Sequence, residues 1–205
     1  MKNIAILASG SGSNAENIAN YFANSEYAQV SLIVANNPNA YVLERAKKLN
    51  IESLTITKAE FMAADSLIEE LQKRNIDFIV LAGFLLLVPQ KLIDAYPGRI
   101  VNIHPALLPK HGGKGMYGER VHQAVVAAGD TESGITIHLI DGDYDKGTTF
   151  FQATCPVLPE DTADDIANKV HALELFIFAF IRISTSTYEN FKRTQKQQYS
   201  SIFFY

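Results

Sequence analysis

Hydrophobic residues in the first half of the chain follow two alternating patterns. Short runs of consecutive apolar residues, such as 3–8 and 77–82, predict strands that are buried on both faces. Between them, apolar residues recur every three or four positions, as in 15–24 and 60–74, and predict amphipathic helices. The complete set is strands at 3–8, 30–35, 52–57, 77–82 and 100–104, and helices at 15–24, 41–49, 60–74 and 89–95. This alternation predicts an α/β fold with a doubly wound, mostly parallel, Rossmann-like sheet.

The pattern changes after residue 104. A glycine-rich connection at 109–118 precedes a predicted helix at 119–128. Two further strands, 133–140 and 148–154, are separated only by an acidic turn, so we expect an antiparallel pair toward the C-terminus. A final helix is predicted over 161–174, with Thr162 as its N-cap. No linker divides residues 1–174, which we interpret as one domain.

The segment 175–205 differs in composition from the rest of the chain. It holds 9 of the 21 Phe and Tyr residues, and its net charge is +3 within a chain whose net charge is -4. We interpret 175–205 as an atypical tail rather than a separate domain. A strand and helix packed on the sheet, an interaction segment and a poorly ordered end all remain open.

Composition excludes several classes of protein. The chain has 205 residues, 47% of them hydrophobic and 20% charged, which is typical of a globular domain. Its net charge of -4 argues against non-specific nucleic-acid binding. The single cysteine, Cys155, excludes an intramolecular disulfide. Neither a secretory signal nor an apolar run of roughly 18 residues is visible, so we expect a cytoplasmic protein without a membrane partner.

The first candidate site is the end of the strand at 100–104. Asn102 and His104 are two residues apart, so their side chains share one face of the strand. An amide beside an imidazole suits the stabilisation of a carbonyl oxygen that gains negative charge. Alternatively, these polar side chains only satisfy the loop that follows.

Two further loops follow predicted strands. Gly10, Gly12 and Asn14 lead into a helix, where backbone N–H groups favour a phosphate. The loop lacks the third glycine of a dinucleotide fingerprint and the lysine of a P-loop, so a tight turn without a ligand is an equal alternative. The apolar segment 83–88 suits a flat heterocycle bound through main-chain hydrogen bonds, with plain core as the alternative.

The acidic turn offers a charge partner for His104. Asp141, Asp143 and Asp145 lie in an Asp-Gly-Asp-x-Asp run, without the remaining features of a calcium loop. A carboxylate beside His104 would raise the pKa of the imidazole and keep it a proton donor at neutral pH. Which aspartate reaches His104 is open at this point. The other histidines have no metal-ligand spacing, and His122 and His138 are interpreted as structural or supporting residues.

Four motifs, in their order along the chain, carry a resemblance to a known family. They are Gly10-Ser11-Gly12-Ser13-Asn14, Leu81-Ala82-Gly83-Phe84, Asn102-Ile103-His104-Pro105-Ala106-Leu107-Leu108-Pro109 and Tyr144-Asp145-Lys146-Gly147. Over about residues 1–174 the chain resembles the phosphoribosylglycinamide formyltransferase family, folate-dependent enzymes of purine biosynthesis. The resemblance implies the formyltransferase version of the Rossmann-like fold. It also implies formyl transfer from 10-formyltetrahydrofolate to the amine of 5-phosphoribosylglycinamide, without a metal.

The resemblance assigns a role to each matching residue. The catalytic residues are Asn102 as the amide, His104 as the acid and Asp145 as the aspartate that raises the pKa of His104. The residues expected to bind the ribosylglycinamide are Gly12, Ser13, Asn14 and Glu174, and those expected to bind the folate are Leu85, Leu86, Leu87, Val88 and Asn102. We expect small-molecule substrates, no nucleic-acid or membrane partner, and a monomer or homodimer.

The chain departs from the family at two places. Leu85-Leu86 stands where many relatives have Met-Arg, which removes a cation that could meet the folate's glutamate tail. Residues 175–205 do not match the family's ending, and we hypothesise an altered reading frame or a lineage-specific replacement. The alternatives to the transferase are a formyltetrahydrofolate hydrolase-like enzyme, a methionyl-tRNA formyltransferase, and a folate- or nucleotide-binding module without turnover. The first two normally carry a further domain, and the loop at 10–14 favours the ribonucleotide.

Overall fold

A computed structural model describes residues 1–140, 142, 145 and 147–173 of the chain. Its strands are β1 (Lys2–Ala8), β2 (Ala28–Ala35), β3 (Glu52–Thr55), β4 (Ile76–Leu81), β5 (Ile100–His104), β6 (Glu132–Leu139) and β7 (Thr149–Pro156). Its helices are α1 (Ser13–Phe22), α2 (Val42–Lys48), α3 (Lys58–Ala63), α4 (Asp65–Lys73), α5 (Gln90–Ala95), α6 (Glu119–Ala128) and α7 (Ala163–Leu173). The tail at 175–205 lies outside the described residues.

The seven strands form one sheet in the order β3-β2-β1-β4-β5-β6-β7. Strands β1 to β5 pair in parallel, whereas β6 is antiparallel to both of its neighbours, β5 and β7. The mostly parallel sheet and the antiparallel β6–β7 pair were both predicted, and both are confirmed. The β5–β6 contact adds a second antiparallel pair, and it places β6 beside the strand that carries Asn102 and His104.

The order of the strands determines where a crevice opens. From β1 the chain continues to β2 and β3 on one side, and β4 and β5 lie on the other side of β1. The loops that follow β1 and β4 therefore diverge, and such a switch point is where open α/β sheets bind ligands. The glycine loop after β1 and the apolar segment after β4 meet there: the Ser9 N–H donates to the Gly83 carbonyl at 3.1 Å.

Burial on both faces of the sheet explains the continuous apolar runs. In β1, Ile4 and Ile6 pack into one hydrophobic cluster, while Ala5 and Leu7 pack into another, and all four are 0% exposed. A strand in the middle of a doubly covered sheet has no solvent face and so no polar alternation. A third cluster joins β6 and β7 to α6 and α7.

The single helix predicted over 60–74 is wrong, because two helices occupy this region. A capping box begins α3, in which the Thr57 side chain accepts the Glu60 N–H and the Glu60 side chain accepts the Thr57 N–H. Ala64 then adopts a left-handed conformation, with φ of 66°, and separates α3 from α4. Phe61, Leu67 and Leu71 are buried on either side of the break, so the apolar spacing continues across it and does not reveal it.

The predicted N-cap of the last helix is confirmed. Thr162 Oγ1 accepts the N–H of Asp165 at 3.2 Å, and Asp165 accepts the N–H of Thr162 at 2.9 Å. Asp164 and Asp165 lie in the first turn of α7, where the helix dipole favours negative charge. Among the described residues, no helix is long and apolar enough to span a bilayer.

Candidate active site

The candidate site is a cleft of about 780 Å³ at the carboxyl ends of β1, β4 and β5. Such a volume is typical of small-molecule sites. All of the predicted site residues that the structure describes line this cleft: Gly12, Ser13, Asn14, Leu85, Leu86, Leu87, Val88, Asn102, His104 and Asp145. Glu174 lies outside the described residues. The segment 113–119 and α7, through Asp164, Ala167 and His171, complete the walls.

Strand β5 presents Asn102 and His104 on the same side, as predicted. In the register with β6, Asn102 is opposite His138 and His104 is opposite Thr136. The imidazole of His104 is buried, with 3% of the residue exposed, while Asn102 is half-buried. Both side chains therefore reach the cleft from a rigid element of the sheet.

His104 makes one hydrogen bond and one longer charge contact. Its Nε2 lies 2.8 Å from the carbonyl oxygen of His111, so Nε2 carries a hydrogen and donates it. Its Nδ1 lies 3.6 Å from Asp145 Oδ2, which is longer than a hydrogen bond but close enough for the carboxylate to favour the protonated imidazolium over the neutral ring. The donor on Nε2 is therefore already matched by an acceptor from the glycine-rich connection.

The pKa of His104 lies below its ordinary value of 6.5. Burial is the largest cause, because it removes the charged imidazolium from water, and the charge of Asp145 and the hydrogen bond to His111 raise the pKa by less. The prediction of a raised pKa is therefore wrong for this arrangement, although Asp145 acts in the predicted direction. His104 is neutral at pH 7 in the structure.

Among the described residues, Asp145 is the aspartate that reaches His104. Its Oδ2 also accepts the N–H of Gly113 at 2.9 Å. Burial raises the pKa of Asp145, but the imidazoles of His138 and His104 and the Gly113 N–H lower it by more, and the pKa lies below the ordinary value. Asp145 is therefore a carboxylate at neutral pH. Asp141 and Asp143 lie outside the described residues.

His138 supports Asn102. The Nδ1 of His138 lies 3.0 Å from the Leu139 carbonyl oxygen. Its Nε2 lies 3.1 Å from Asn102 Nδ2 and 3.4 Å from Asp145 Oδ1. Asn102 Nδ2 also lies 3.4 Å from Asp145 Oδ1, a weak hydrogen bond at most. Interpretation of His138 as a supporting residue agrees with this geometry.

Glycine is required at position 12 of the loop after β1. Gly12 has φ of 73°, and a Cβ there would lie 2.3 Å from Val42 Cγ2. The loop runs directly into α1, and the Gly12 carbonyl accepts the Glu16 N–H at 3.0 Å in the first turn. The first N–H groups of an α-helix have no partner within the helix, so the start of α1 favours an anion.

The apolar segment after β4 is only partly core. Leu85 is 44% exposed, whereas Val88 is 4% exposed. The N–H of Leu85 donates to Ser9 Oγ at 3.0 Å, so this main-chain donor is already used within the protein. The exposed side of Leu85 is consistent with a wall that receives a ligand rather than with plain core.

Comparison with known proteins identifies the family. The model of the formyl transferase family matches residues 2–180.

The chain belongs to the formyl transferase family.

Within this family, the chain is 39% identical over 175 residues to the chloroplastic phosphoribosylglycinamide formyltransferase of Arabidopsis thaliana, covering 82% of this chain and 60% of that protein. It is 32% identical over 186 residues to the phosphoribosylglycinamide formyltransferase of Haemophilus influenzae, covering 88% of this chain and 85% of that protein. The chain thus spans 60% of the length of the plant relative.

Crystal structures of other family members share the fold. Phosphoribosylglycinamide formyltransferase from Streptococcus pneumoniae matches with a TM-score of 0.79 and 37% identity, over 91% of this chain and 100% of that one. The enzyme of the same name from Bacillus halodurans matches with a TM-score of 0.81 and 33% identity, over 92% and 98%. The predicted family and fold class are confirmed.

Sequence reasoning missed two kinds of contribution to the candidate site. The first is main chain: the His111 carbonyl and the Gly113 N–H contact the two ionisable groups, and no side-chain motif marks such atoms. The second is Thr136, whose hydroxyl donates to the Ala106 carbonyl at 2.6 Å and accepts the Leu108 N–H at 3.0 Å. Thr136 lies two residues before His138 on β6, and this period of two was the available signal.

Proposed function

We propose that this chain transfers a formyl group from 10-formyltetrahydrofolate to the amine of 5-phosphoribosylglycinamide, a step of de novo purine biosynthesis. The observation that carries the proposal is the convergence of Asn102, His104 and Asp145 in one cleft, between a glycine loop and an apolar wall. The names of the relatives support the same reaction.

The two substrates are assigned to different walls of the cleft. We assign the phosphate of the ribosylglycinamide to Gly12, Ser13 and Asn14, because the start of α1 favours an anion. Glu174, which rests on the family resemblance alone, is assigned to the glycinamide end. The folate is assigned to Leu85, Leu86, Leu87, Val88 and Asn102, where exposed apolar surface faces the cleft.

In the proposed reaction the neutral amine attacks the formyl carbon. A bond forms between the amine nitrogen and the formyl carbon, and the carbonyl electron pair moves to oxygen. The oxyanion accepts the His104 Nε2–H in place of the His111 carbonyl, and also the Nδ2–H of Asn102 that lies only weakly against Asp145. Collapse of the intermediate breaks the bond from carbon to N10, and the proton lost by the amine moves to N10, directly or through water.

The low pKa of His104 fits this sequence of charges. Burial disfavours the imidazolium while the cleft holds no negative charge next to Nε2. An oxyanion at that position, together with the Asp145 carboxylate beside Nδ1, favours the cation at the stage where charge develops. His104 therefore stabilises the transition state more than it stabilises the bound substrate.

The remaining assignments follow from the same reaction. The partners are small molecules, with no nucleic acid or membrane required, and the chain acts in the cytoplasm as a monomer or homodimer. No metal has a role in the proposed steps. Residues 1–174 are proposed as the formyltransferase domain, and 175–205 as a tail that is not a separate domain.

An assay that follows folate absorbance tests the function. We expect loss of the formyl group from 10-formyltetrahydrofolate only when 5-phosphoribosylglycinamide is present. Loss without the ribonucleotide would indicate the hydrolase instead. Folate binding without any loss would indicate a binding module. In the same assay His104→Ala should lose the activity, whereas the control Arg74→Met should keep it, because Arg74 pairs with Glu52 and Glu70 and does not line the cleft.

A further inference from the structure

Helix α2 holds the glycine loop from outside the cleft. The Val42 N–H donates to the Gly10 carbonyl oxygen at 3.1 Å. One turn later, Arg45 Nε donates to the Ser11 carbonyl oxygen at 2.9 Å. Two consecutive carbonyl groups of the loop are therefore turned toward α2. Of the two donors, Val42 uses its backbone N–H and Arg45 uses its side chain. Arg45 does not line the cleft itself.

The geometry of the peptide bond gives these contacts a consequence. In a planar trans peptide, the carbonyl of one residue and the N–H of the next point in opposite directions. With the Gly10 and Ser11 carbonyls turned toward α2, the N–H groups of Ser11 and Gly12 are turned away from it. These two residues line the cleft, as does Ser13 at the start of α1. Successive N–H groups that face one point form an anion-binding concavity.

Arg45 also controls the charge beside this concavity. Glu16 lies in the first turn of α1, where its carboxylate would repel an incoming phosphate. Arg45 Nη1 forms an ion pair with Glu16 Oε2, while both side chains are largely shielded from solvent, with 23% and 30% exposed. The guanidinium also lies over the ring of Tyr41, 5.1 Å from its centroid. One guanidinium therefore makes three directed contacts that a lysine ammonium cannot make together.

We infer that Arg45 is a positioning residue for the phosphate of the amine substrate. It turns the Ser11 peptide so that the N–H groups of the loop face the phosphate, and it neutralises Glu16. This inference rests on the assignment of the glycine loop to the phosphate in the proposed function. Arg45 itself contacts neither substrate.

The test compares binding of ribose 5-phosphate with the kinetics of both substrates. For Arg45→Met we expect the dissociation constant of ribose 5-phosphate and the KM of the ribonucleotide to rise about tenfold, the scale of a lost charged hydrogen bond. The kcat and the KM of the folate should stay within about twofold. Arg45→Lys should recover part of the loss, since it keeps the positive charge opposite Glu16. Adding Glu16→Gln to Arg45→Met should also recover part of the loss, because it removes the unpaired carboxylate.

Arg74→Met is the control for losing an arginine with two carboxylate partners, and it should leave all four quantities unchanged. Thermal melting of each variant checks folding, and Arg45→Lys provides the comparison if Arg45→Met does not fold. Unchanged ribose 5-phosphate binding in the Arg45 variants would overturn the inference while leaving the proposed function intact. A fall in kcat together with a rise in both KM values would overturn it too, because that result would indicate a general structural role. Failure of the wild-type chain to bind ribose 5-phosphate would instead overturn the phosphate assignment itself.

Discussion

At His104 two opposing effects act on one imidazole. Asp145 lies 3.6 Å from Nδ1 and favours the cation, whereas burial favours the neutral ring and has the larger effect. The contact with Asp145 could be predicted from sequence, since an acidic turn follows the neighbouring strand. The extent of burial could not, because it depends on the glycine-rich connection, whose His111 carbonyl contacts His104 and whose Gly113 N–H contacts Asp145.

Removing either member of this pair should abolish most of the activity. We predict that His104→Ala and Asp145→Ala each lower kcat by at least about 100-fold, the usual scale for acid-base groups. Steady-state kinetics with both substrates checks this. Asp77→Ala, which removes a carboxylate paired with Lys2 away from the cleft, is the control and should keep its kcat. Near-wild-type turnover in either site variant would refute the assignment.

The lowered pKa of His104 also predicts how stability depends on pH. An unfolded chain, with the ordinary pKa of 6.5, binds a proton at a higher pH than the folded chain does. The free energy of unfolding should therefore fall as pH decreases from 6.5 through the lower pKa of the folded state, by at most about 1.4 kcal/mol per pH unit from this group. Urea unfolding between pH 5 and about 7.5 should show a smaller fall for His104→Gln. An equal fall in both proteins would contradict the lowered pKa.

At the scale of elements, the loop between β1 and α1 depends on a glycine that no other residue replaces. Gly12→Ala combines a left-handed φ of 73° with a Cβ that would lie 2.3 Å from Val42 Cγ2. We predict a loss of ribose 5-phosphate binding of at least tenfold together with a lower melting temperature. Gly129→Ala is the matched control, since its φ is 64°, its Cβ would meet nothing within 4 Å, and it does not line the cleft. Equal binding by both variants would show that contact with α2 does not shape the loop.

Close contact between β6 and β7 gives a second prediction at this scale. A Cβ on Gly134 would lie 1.9 Å from the carbonyl oxygen of Ala153, and a backbone atom cannot move aside as a flexible side chain can. We predict that Gly134→Ala costs about 3 kcal/mol or more in the free energy of unfolding. Gly129→Ala, at a helix end with open space, should cost about 1 kcal/mol. Similar costs for the two variants would contradict the tight pairing.

Elements were predictable from sequence wherever local pattern determines them. The apolar runs located the strands, and Thr162 located the start of α7. The break at Ala64 was not predictable, because buried residues continue at helical spacing on both sides of it. Pairing of β6 with β5 was also hidden, since antiparallel contact between strands separated by a long connection leaves no local mark.

At the scale of the whole molecule, the alternation of strands and helices was enough to predict the crevice. The switch between the β2 and β4 sides of β1 brings three separate sequence motifs to one end of the sheet. Motif order along the chain could therefore indicate the family and the candidate catalytic residues. Sequence could not supply the orientation of peptide groups in the loops, which determines both the partner of His104 Nε2 and the direction of the N–H groups near Arg45.

Transfer of a labelled formyl group tests the central claim most directly. 10-Formyltetrahydrofolate carrying a ¹³C-labelled formyl carbon is incubated with 5-phosphoribosylglycinamide and the wild-type chain. The products are then separated and identified by mass spectrometry. The account predicts that the label appears on the ribonucleotide, with unlabelled tetrahydrofolate as the other product, and that His104→Ala forms neither above background. Label recovered as free formate, or a labelled ribonucleotide formed equally well by His104→Ala, would contradict it.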